Sequence, residues 1–462
     1  MFSDITKPSF IGRYSASEYY RDYRYLQDDK IVLKNPHKGW YWHFIDNGFM
    51  RPNYRQNIGD DTMLDFPGLN HLYLRFDWGD IEKEEGVYDW GYIDSIIEKW
   101  GALGYTFALR LCSYEAAPIL YATPEWVRKA GAKGYECAGG AWQPDYGDAI
   151  YLEKLENFMK EFGRKFNGNP SIEFVDVGTY GTWGEGHTGC GDGIFSTDVL
   201  IKHINLHLKY FPDTYVIMND DMINASLDEN GTSKQYLLDY WAGKGMGFRD
   251  DSILCSFYTS TKKFGYDTIR TPFMFDRFYE QAPVDIESEH YTSITEDTYK
   301  MGLPLIEACR RSHATYCGFH AYPRPWLEKW PYLAEFLANK LGYWYFVDGA
   351  EIPECVSGLY TMARFYFQNK GFCHAYNAYD FKIKLVNEQG DYIVHCDKTM
   401  NLEIKAESCY DKMFRLDLRM VPQGDYTLCI GMFDGDKPIK LGFKDACLRD
   451  DGYYELDQVT VK

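Results

Sequence analysis

The sequence lacks the short motifs that mark several common enzyme classes. No G-x-G-x-x-G follows an early strand, which argues against a dinucleotide-binding fold, and no H-E-x-x-H marks a zinc site. No G-x-S-x-G elbow occurs, which disfavours a Ser-His-Asp hydrolase. The 12 cysteines show no C-x-x-C spacing, and several sit in apolar runs, so we expect reduced core residues. We expect no cofactor, and a catalytic metal held by scattered histidines and aspartates is a minor alternative.

The sequence also lacks an excess of basic residues and any long apolar run. The net charge is −19, so a nucleic-acid partner bound through a basic surface is not expected. No run reaches the length of a membrane span, and the first ten residues contain no apolar signal core. These features predict a soluble cytoplasmic protein, bacterial in type, without a membrane partner; a homo-oligomer stays open.

Aromatic residues, by contrast, are abundant. They make up 18% of the chain, with 40 Tyr and 12 Trp. Flat rings cover the apolar faces of pyranosides, so this composition suits a sugar-binding cleft. The alternative is that most rings simply fill the core, and for any single ring the two interpretations are about equally good.

Short apolar strands alternate with helical stretches through most of the chain, which indicates parallel βαβ units. Eight units in a row favour a closed (β/α)8 TIM barrel. We predict strands at 39–45, 69–78, 105–112, 171–177, 214–221, 252–258, 282–287 and 314–322. Alternating apolar and polar runs after about residue 350 predict a small all-β sandwich. The expected domains are an N-terminal extension (1–36), the barrel (37–348) and the sandwich (355–462).

The stretch from Ser171 to His187 organises this interpretation. It begins as an apolar, β-branched run and ends in glycines around one carboxylate, Glu185. Glycine permits backbone conformations that other residues resist, so the strand can turn sharply and present that side chain. Active sites of barrels lie at the carboxyl ends of the strands, which makes Glu185 a candidate general acid. Its alternative roles are capping a helix or pairing with an arginine.

A second acidic stretch runs from Ala282 to His290. Strand alternation puts Asp285, Glu287 and Glu289 on one face, and burial cost directs these carboxylates towards the barrel interior. Glycoside hydrolysis needs two carboxyl groups that flank the scissile bond. We predict Glu287, near the rim, as the nucleophile, with Glu289 as its main rival, while Asp285 is equally well explained as structural.

The run from Arg75 to Trp90 resembles the W-x-I-E-x-x-E-G-x-Y-D-W segment of clan-A glycoside hydrolases, especially β-galactosidase-like ones. The resemblance covers roughly residues 39–345. It implies an acid/base after the fourth strand, a nucleophile at the end of the seventh, and retention of configuration. Glu185 and Glu287 match those positions, although Gly184 precedes Glu185 where the clan usually has asparagine. The chain also resembles bacterial proteins that carry a C-terminal β domain of unassigned role.

Further polar and aromatic side chains are expected around the carbohydrate substrate. Candidate substrate-binding residues are Arg75, Trp183, His187, Asn219, Asp220, Tyr258, Glu289, His320 and Trp326. A catalytically silent carbohydrate-binding barrel is the alternative from another class. A lyase that uses Tyr180 or His187 as its base is a third reading. The sequence names neither the sugar nor the linkage.

Overall fold

The computed structural model describes most of the chain, and its contacts divide it into two compact units. The described ranges are 17–46, 48–49, 59–187, 196–224, 235–253, 272–288, 300–320 and 322–462. One unit runs from Trp40 to Pro331, and the other joins the N-terminal segment up to Gly39 with Tyr332–Lys462.

The larger unit is a closed barrel of eight strands. In chain order the barrel strands are β2 (Gly39–Ile45), β3 (Leu69–Asp77), β4 (Thr106–Cys112), β7 (Ile172–Asp176), β8 (Tyr215–Asn219), β9 (Gly247–Ile253), β10 (Val284–Ser288) and β11 (Tyr316–Phe319). Neighbouring strands from β2 round to β11 pair in parallel, and the ring closes between β11 and β2. The predicted fold class, a TIM-like barrel followed by a β-rich region, is confirmed.

Helices and one small hairpin connect the barrel strands. The described helices of this unit are α1 (Trp78–Ile81), α2 (Gly91–Gly101), α3 (Glu125–Lys129), α4 (Ala149–Phe166), α5 (Thr197–Tyr210), α6 (Asp221–Asn224), α7 (Gln235–Ala242), α8 (Pro272–Phe278), α9 (Leu303–Arg311) and α10 (Arg324–Lys329). The hairpin pairs β5 (Gly134–Glu136) with β6 (Trp142–Pro144). Asp148 caps α4 by accepting bonds from the N–H groups of Ile150 and Tyr151.

The barrel interior is built in two layers, because inward-facing residues recur every second position along a strand. The lower layer is an apolar cluster of Tyr41, Tyr73, Ala108, Phe174, Ile217 and Tyr316. Two residues further along five of these strands come buried polar or charged side chains: His43, Arg75, Arg110, Asp176 and Asn219. The apolar layer therefore forms the floor of a charged layer at the carboxyl ends of the strands.

The sixth barrel strand differs from its prediction. An apolar run at 252–258 predicts a strand there, but the strand is Gly247–Ile253, and residues 254–258 lie outside the described ranges. The strand contains the charged residues Arg249, Asp250 and Asp251, so its sequence lacks the apolar run by which a buried strand is predicted. All three side chains are buried nonetheless, because ion pairs and hydrogen bonds inside the barrel compensate their burial.

The segment that carries the clan-A resemblance has a structural role here. Glu82 is buried and accepts a 2.6 Å bond from the Trp78 indole and a 2.7 Å bond from the Gly86 backbone N–H. Gly86 has φ +77°, a left-handed conformation that suits glycine in this tight turn. Glu82 thus fastens the loop after α1, away from the charged layer.

The smaller unit consists of two sheets around one core. The first sheet orders β1 (Tyr20–Asp22), β12 (Tyr345–Glu351), β14 (Tyr360–Asn369) and β17 (Ser408–Asp417). The second orders β13 (Cys355–Val356), β20 (Tyr454–Val461), β18 (Gly424–Asp434), β15 (Asp380–Asn387) and β16 (Gly390–Asp397), with β19 (Lys437–Ile439) paired to β18. Phe381 of the second sheet packs against Phe367 and Phe414 of the first, with ring centroids 5.2 and 5.4 Å apart.

The N-terminal segment and the last helix belong to this smaller unit. The boundaries expected from the sequence were at residue 37 and near residue 350. Helix α11 (Pro331–Lys340) supplies the reason. Asn339 accepts a 2.9 Å bond from the Leu33 N–H, and Lys340 donates a 2.8 Å bond to the Lys370 carbonyl. These contacts hold α11 and residues near 33 to the β-rich unit.

Two general expectations from the sequence can be set beside the structure. No described helix combines the length and apolar character that a membrane crossing requires. Ten cysteines fall in the described ranges and all are free thiols; Cys112, Cys317 and Cys429 are buried as expected, whereas Cys255 lies outside those ranges.

Two buried histidines of α5 predict acid lability of the barrel. Burial lowers the pKa of His203 to about 3 and that of His207 to about 4, against an ordinary value near 6.5. Below pH 6.5 the unfolded chain therefore binds protons that the folded chain does not, and stability falls with falling pH. For each histidine the loss reaches about 2 kcal/mol two pH units below that value.

The measurement is the thermal unfolding midpoint between pH 7.5 and 5. His203→Gln keeps a donor near the Tyr146 carbonyl, which His203 contacts at 3.0 Å, but cannot titrate. We expect a shallower fall of the midpoint than in wild type. His395→Gln, in β16, is the control that should retain the wild-type slope. An unchanged slope in His203→Gln contradicts the prediction.

Candidate active site

A glycine-rich turn after β7 places Glu185 at the barrel mouth. Gly181, Gly184 and Gly186 have φ values of +85°, +71° and +87°. A Cβ on Gly184 would lie 2.4 Å from the Gly178 carbonyl oxygen, and one on Gly186 would lie 2.4 Å from Met222 Cγ. The close backbone approach therefore requires glycine at both sides of Glu185.

Glu185 lies among three cationic or titratable side chains. Its Oε1 is 3.6 Å from Arg75 Nη1 and 3.5 Å from Arg110 Nη2, and its Oε2 is 3.2 Å from His187 Nε2. Burial alone would lower the pKa of His187, but the hydrogen bond and charge of Glu185 outweigh it and raise that pKa. The Glu185 side chain is 12% exposed, so it lies at the edge of the charged layer.

Glu287, at the carboxyl end of β10, is surrounded by donors. Arg249 Nη2 forms an ion pair with its Oε2, and His320 Nε2 contacts its Oε1. His43 Nε2 lies 3.3 Å from Oε2. The Glu287 side chain is 1% exposed, so its charge is balanced within the barrel rather than by bulk water.

Two chains of charged side chains connect Glu185 with Glu287. The first passes through Arg75, Asp46 and His320, with Arg75 Nη2–Asp46 Oδ1 at 3.0 Å and His320 Nδ1–Asp46 Oδ2 at 3.2 Å. Burial raises the pKa of Asp46, but Arg75 and His320 oppose this strongly and hold it well below the usual range. Asp46 therefore stays ionised between its two partners.

The second chain runs through the barrel centre. Arg110 Nη1 and Arg249 Nη1 lie 3.8 and 3.6 Å from Asp176 Oδ2, and Arg249 Nη1 lies 3.0 Å from Asp285 Oδ2. Burial raises the pKa of Asp285 to about 7, although Arg249 acts in the opposite direction. Arg249 thus shares one guanidinium among three carboxyl groups and supports Glu287 from below.

The structure brings several predicted binding residues near the two glutamates. Arg75, His187 and His320 contact one of them, and Trp183 lies on the Glu185 turn with its ring 5.7 Å from that of His187. Trp183 has φ +57° and donates its backbone N–H to the Tyr114 carbonyl at 3.0 Å, which fixes this unusual conformation.

The remaining predicted binding residues differ in their surroundings, and the charges of Asp221 and Asp251, beside Asn219 and Asp220, act on His187. Asn219 donates a 2.6 Å bond to Asp251 at the ends of β8 and β9, and Asp220 lies beside them. Trp326 is 1% exposed and packs against Trp40 and Phe66, with centroids 5.2 and 5.9 Å away, so the structure places it in the core instead of with the site. Tyr258 and Glu289 lie outside the described residues.

The sequence analysis missed Arg249, Asp46 and Asp176 as members of the site. Arg249 stands in a polar run that the apolar criterion assigns to a connection. Asp176 follows Phe174 by two positions and shares its inward face, a signal that the period-two rule makes available. Asp46 follows the end of β2, where the rule about carboxyl ends applies equally.

Within the described ranges, three groups of side chains bring potential metal-ligand atoms within 4.8 Å of one another. They are His43/Glu287/His320, Asp77/Cys112/Glu115 and Asp220/Asp221/Asp251. In the first group Glu287 is paired with Arg249, whose positive charge opposes a second cation. The other two groups have no feature beyond proximity, and we assign a metal to none of them.

Comparison with known proteins finds similarity over part of the chain. No protein-family model matches. Over 125 residues the chain is 31% identical to β-galactosidase BbgII of Bifidobacterium bifidum, a match that covers 25% of this chain and 18% of that protein. The match therefore spans less than a fifth of the relative's length. This similarity agrees with the β-galactosidase-like resemblance of residues 75–90.

Similarity to solved structures is low both in sequence identity and in TM-score. An intracellular xylanase, TsXylA from Thermoanaerobacterium saccharolyticum, has a TM-score of 0.39 at 14% identity and covers 63% of this chain and 88% of its own. Endo-glycoceramidase II from Rhodococcus sp. has a TM-score of 0.42 at 13% identity, covering 84% and 99%. A β-galactosidase from Marinomonas ef1 has a TM-score of 0.40 at 10% identity, covering 62% and 54%. Similarities with TM-scores below 0.5 do not support a fold assignment. The assignment of a closed barrel depends on the strand order observed in this chain.

The pairing of Arg249 with three carboxyl groups predicts a pH-dependent loss of stability in Arg249→Met. Removing the guanidinium takes away the ion-pair partner of Asp285 and one of the partners of Asp176 and Glu287, all of them buried, which costs about 3–5 kcal/mol. Their pKa values then rise in the folded state, so protonation relieves part of the loss as the pH falls. We expect a larger drop of the thermal midpoint at pH 8 than at pH 5.5.

Arg324→Met is the matched control. Arg324 contacts Asp61 and Asp65 at 2.6–2.9 Å, and its side chain is 23% exposed. Exposed pairs contribute about 1 kcal/mol or less, so this variant should lose little. Equal midpoints for the two variants at pH 8 would contradict a central role for Arg249.

Proposed function

We propose that the chain is a retaining glycoside hydrolase in which Glu185 is the acid/base and Glu287 the nucleophile. The observation that supports this most directly is the network that joins the two carboxyl groups at the carboxyl ends of the fourth and seventh barrel strands. Retaining hydrolysis needs one carboxyl group that transfers a proton and a second that attacks the anomeric carbon.

The surroundings of Glu287 suit a nucleophile. Arg249 and the two histidines favour the ionised carboxylate, which is the form that attacks carbon. Low exposure is compatible with this role, since a nucleophile at the base of a pocket meets only the anomeric carbon. Glu289, two residues further on, stays the rival for the same role.

The surroundings of Glu185 suit proton transfer. It lies closer to solvent than Glu287 and contacts His187, whose side chain is 28% exposed. His187 is therefore placed to exchange protons between Glu185 and water. The Trp183 ring beside it offers an apolar surface for a sugar ring.

Two steps complete the reaction. Glu287 attacks the anomeric carbon while the bond to the leaving oxygen breaks and Glu185 supplies the proton to that oxygen. Glu185 then removes a proton from water, whose oxygen attacks the same carbon and releases Glu287 as carboxylate. The substrate is a small oligosaccharide or glycoside, and the partial similarity to a β-galactosidase makes galactosides the first to test.

Glu287→Gln should reduce turnover of aryl glycosides by about a thousand-fold or more, because an amide does not form the glycosyl intermediate. Sugar binding, measured by calorimetry, should persist. Glu173→Gln is the matched control: Glu173 lies in β7 near the apolar floor, where it accepts a 2.9 Å bond from Tyr316. Full activity in Glu287→Gln would transfer the nucleophile assignment to Glu289.

Glu185→Ala should affect substrates according to their leaving groups. An activated aryl leaving group departs without protonation, so its glycoside should lose little in the first step, whereas an alkyl glycoside should lose about a hundred-fold or more. Steady-state kinetics on both substrates is the measurement. Equal losses would argue against an acid role. Sugar binding by wild type without turnover of any glycoside would instead favour the catalytically silent barrel.

A further inference from the structure

One of two stacked histidines at the barrel mouth bridges a pair of carboxylates. The rings of His43 and His320 stack at 4.4 Å with 25° between their planes. His320 Nδ1 lies 3.2 Å from Asp46 Oδ2, and its Nε2 contacts Glu287 Oε1. His43 Nε2 lies 3.3 Å from Glu287 Oε2, but its Nδ1 is 3.9 Å from Asp46 Oδ1, beyond hydrogen-bond distance. His320 is therefore the imidazole that connects Asp46 with Glu287, and His43 packs against its ring.

The chemistry of the two rings differs. A carboxylate only accepts hydrogen bonds, so His320 can bond Asp46 and Glu287 together only when both of its nitrogens carry protons, as imidazolium. His43 is completely buried. Burial, followed by the neighbouring charge of His320, lowers the pKa of His43 well below its ordinary value. One ring of the stack is thus charged and the other neutral, which avoids two adjacent buried cations.

We propose that His320, oriented by Asp46, is a positioning residue for the Glu287 nucleophile. His320 holds Oε1 while Arg249 pairs with Oε2, so the plane of the carboxylate is fixed before substrate arrives. When one oxygen attacks carbon, the other becomes a carbonyl that still accepts a hydrogen bond, and no proton leaves His320. This inference rests on the proposed hydrolase function and replaces substrate binding as the role of His320.

The charged groups around His320 come from several strands. Among the residues that the structure describes, Asp46 and His43 face it from β2 and its end, and Glu287 faces it from β10. Arg75 and Arg249 lie one contact further, on the far sides of the two carboxylates. Because His320 makes both bonds, replacing it with a side chain that cannot donate should loosen Glu287 and slow turnover.

The experiment compares His320→Leu, His320→Gln and wild type on an activated aryl glycoside, whose leaving group needs no proton from Glu185. Misplacing a reacting group costs about a hundred-fold, so we expect that loss of kcat in the Leu variant with KM changed by less than about three-fold. The Gln amide can donate to Glu287. It should restore kcat about ten-fold over Leu.

Several outcomes would overturn the inference. Leu and Gln variants with equal kcat, or a Leu variant that retains wild-type kcat, would each do so. His395→Leu, in the smaller unit, is the control for loss of a histidine, and circular dichroism with the thermal midpoint identifies misfolded variants. If His320→Leu fails to fold, His320→Gln against wild type supplies the second test, with a fall in kcat of about ten-fold at unchanged KM expected, and an unchanged kcat overturning the inference.

Failure of this inference can be told apart from failure of the proposed function. If wild type hydrolyses no glycoside, or Glu287→Gln keeps full activity, the nucleophile assignment is wrong. The positioning role of His320 is then wrong as well, because it depends on that assignment. If Glu287→Gln is inactive while His320→Leu retains wild-type kcat, only the positioning role fails.

Discussion

The interior of the barrel depends on one guanidinium. Arg249 is fully buried, lies 4.9 Å from the centre of the Tyr73 ring, and contacts Asp176, Asp285 and Glu287. Breaking a buried ion pair by removal of one partner is costly, because the remaining charge has no solvent to stabilise it. Arg249 therefore holds Asp176, Asp285 and Glu287 directly, and it reaches Arg110 and His320 through one further contact.

The two-layer interior explains how so many charges can lie inside a barrel. Tyrosine, phenylalanine and isoleucine side chains form an apolar layer on the amino-terminal side of the charged layer. The charged layer draws on β2, β3, β4, β7, β9 and β10. Fixed charges in such surroundings do not need to reorganise when charge develops on a bound molecule, which is the arrangement that electrostatic catalysis requires.

Much of the fold could be predicted from the sequence, because strands facing apolar layers on both sides appear as continuous apolar runs. Seven of the eight barrel strands were predicted within a few residues of their observed bounds. The sixth, Gly247–Ile253, was displaced because its inward positions carry charges that only their partners on β7 and β10 make tolerable. Such pairing is a property of the closed barrel and is not visible in a local window.

The candidate site likewise combines features that the local sequence reveals with features that only the folded structure reveals. The glycines around Glu185 and the acidic alternation around Glu287 are local signals, and the structure joins both residues in one network. Arg249 becomes recognisable only when distant strands meet. Trp326 illustrates the opposite case, since nothing in its neighbours along the chain separates a core ring from a binding platform, and its packing partners Trp40 and Phe66 come from the other end of the barrel sequence.

The glycine turn after β7 has a consequence for how this protein can change. Gly184 and Gly186 approach Gly178 and Met222 too closely for any side chain, so the location of Glu185 is set by main chain instead of by neighbouring side chains. A side chain at Gly186 would displace α6, where Met222 lies, and one at Gly184 would displace the backbone of Gly178.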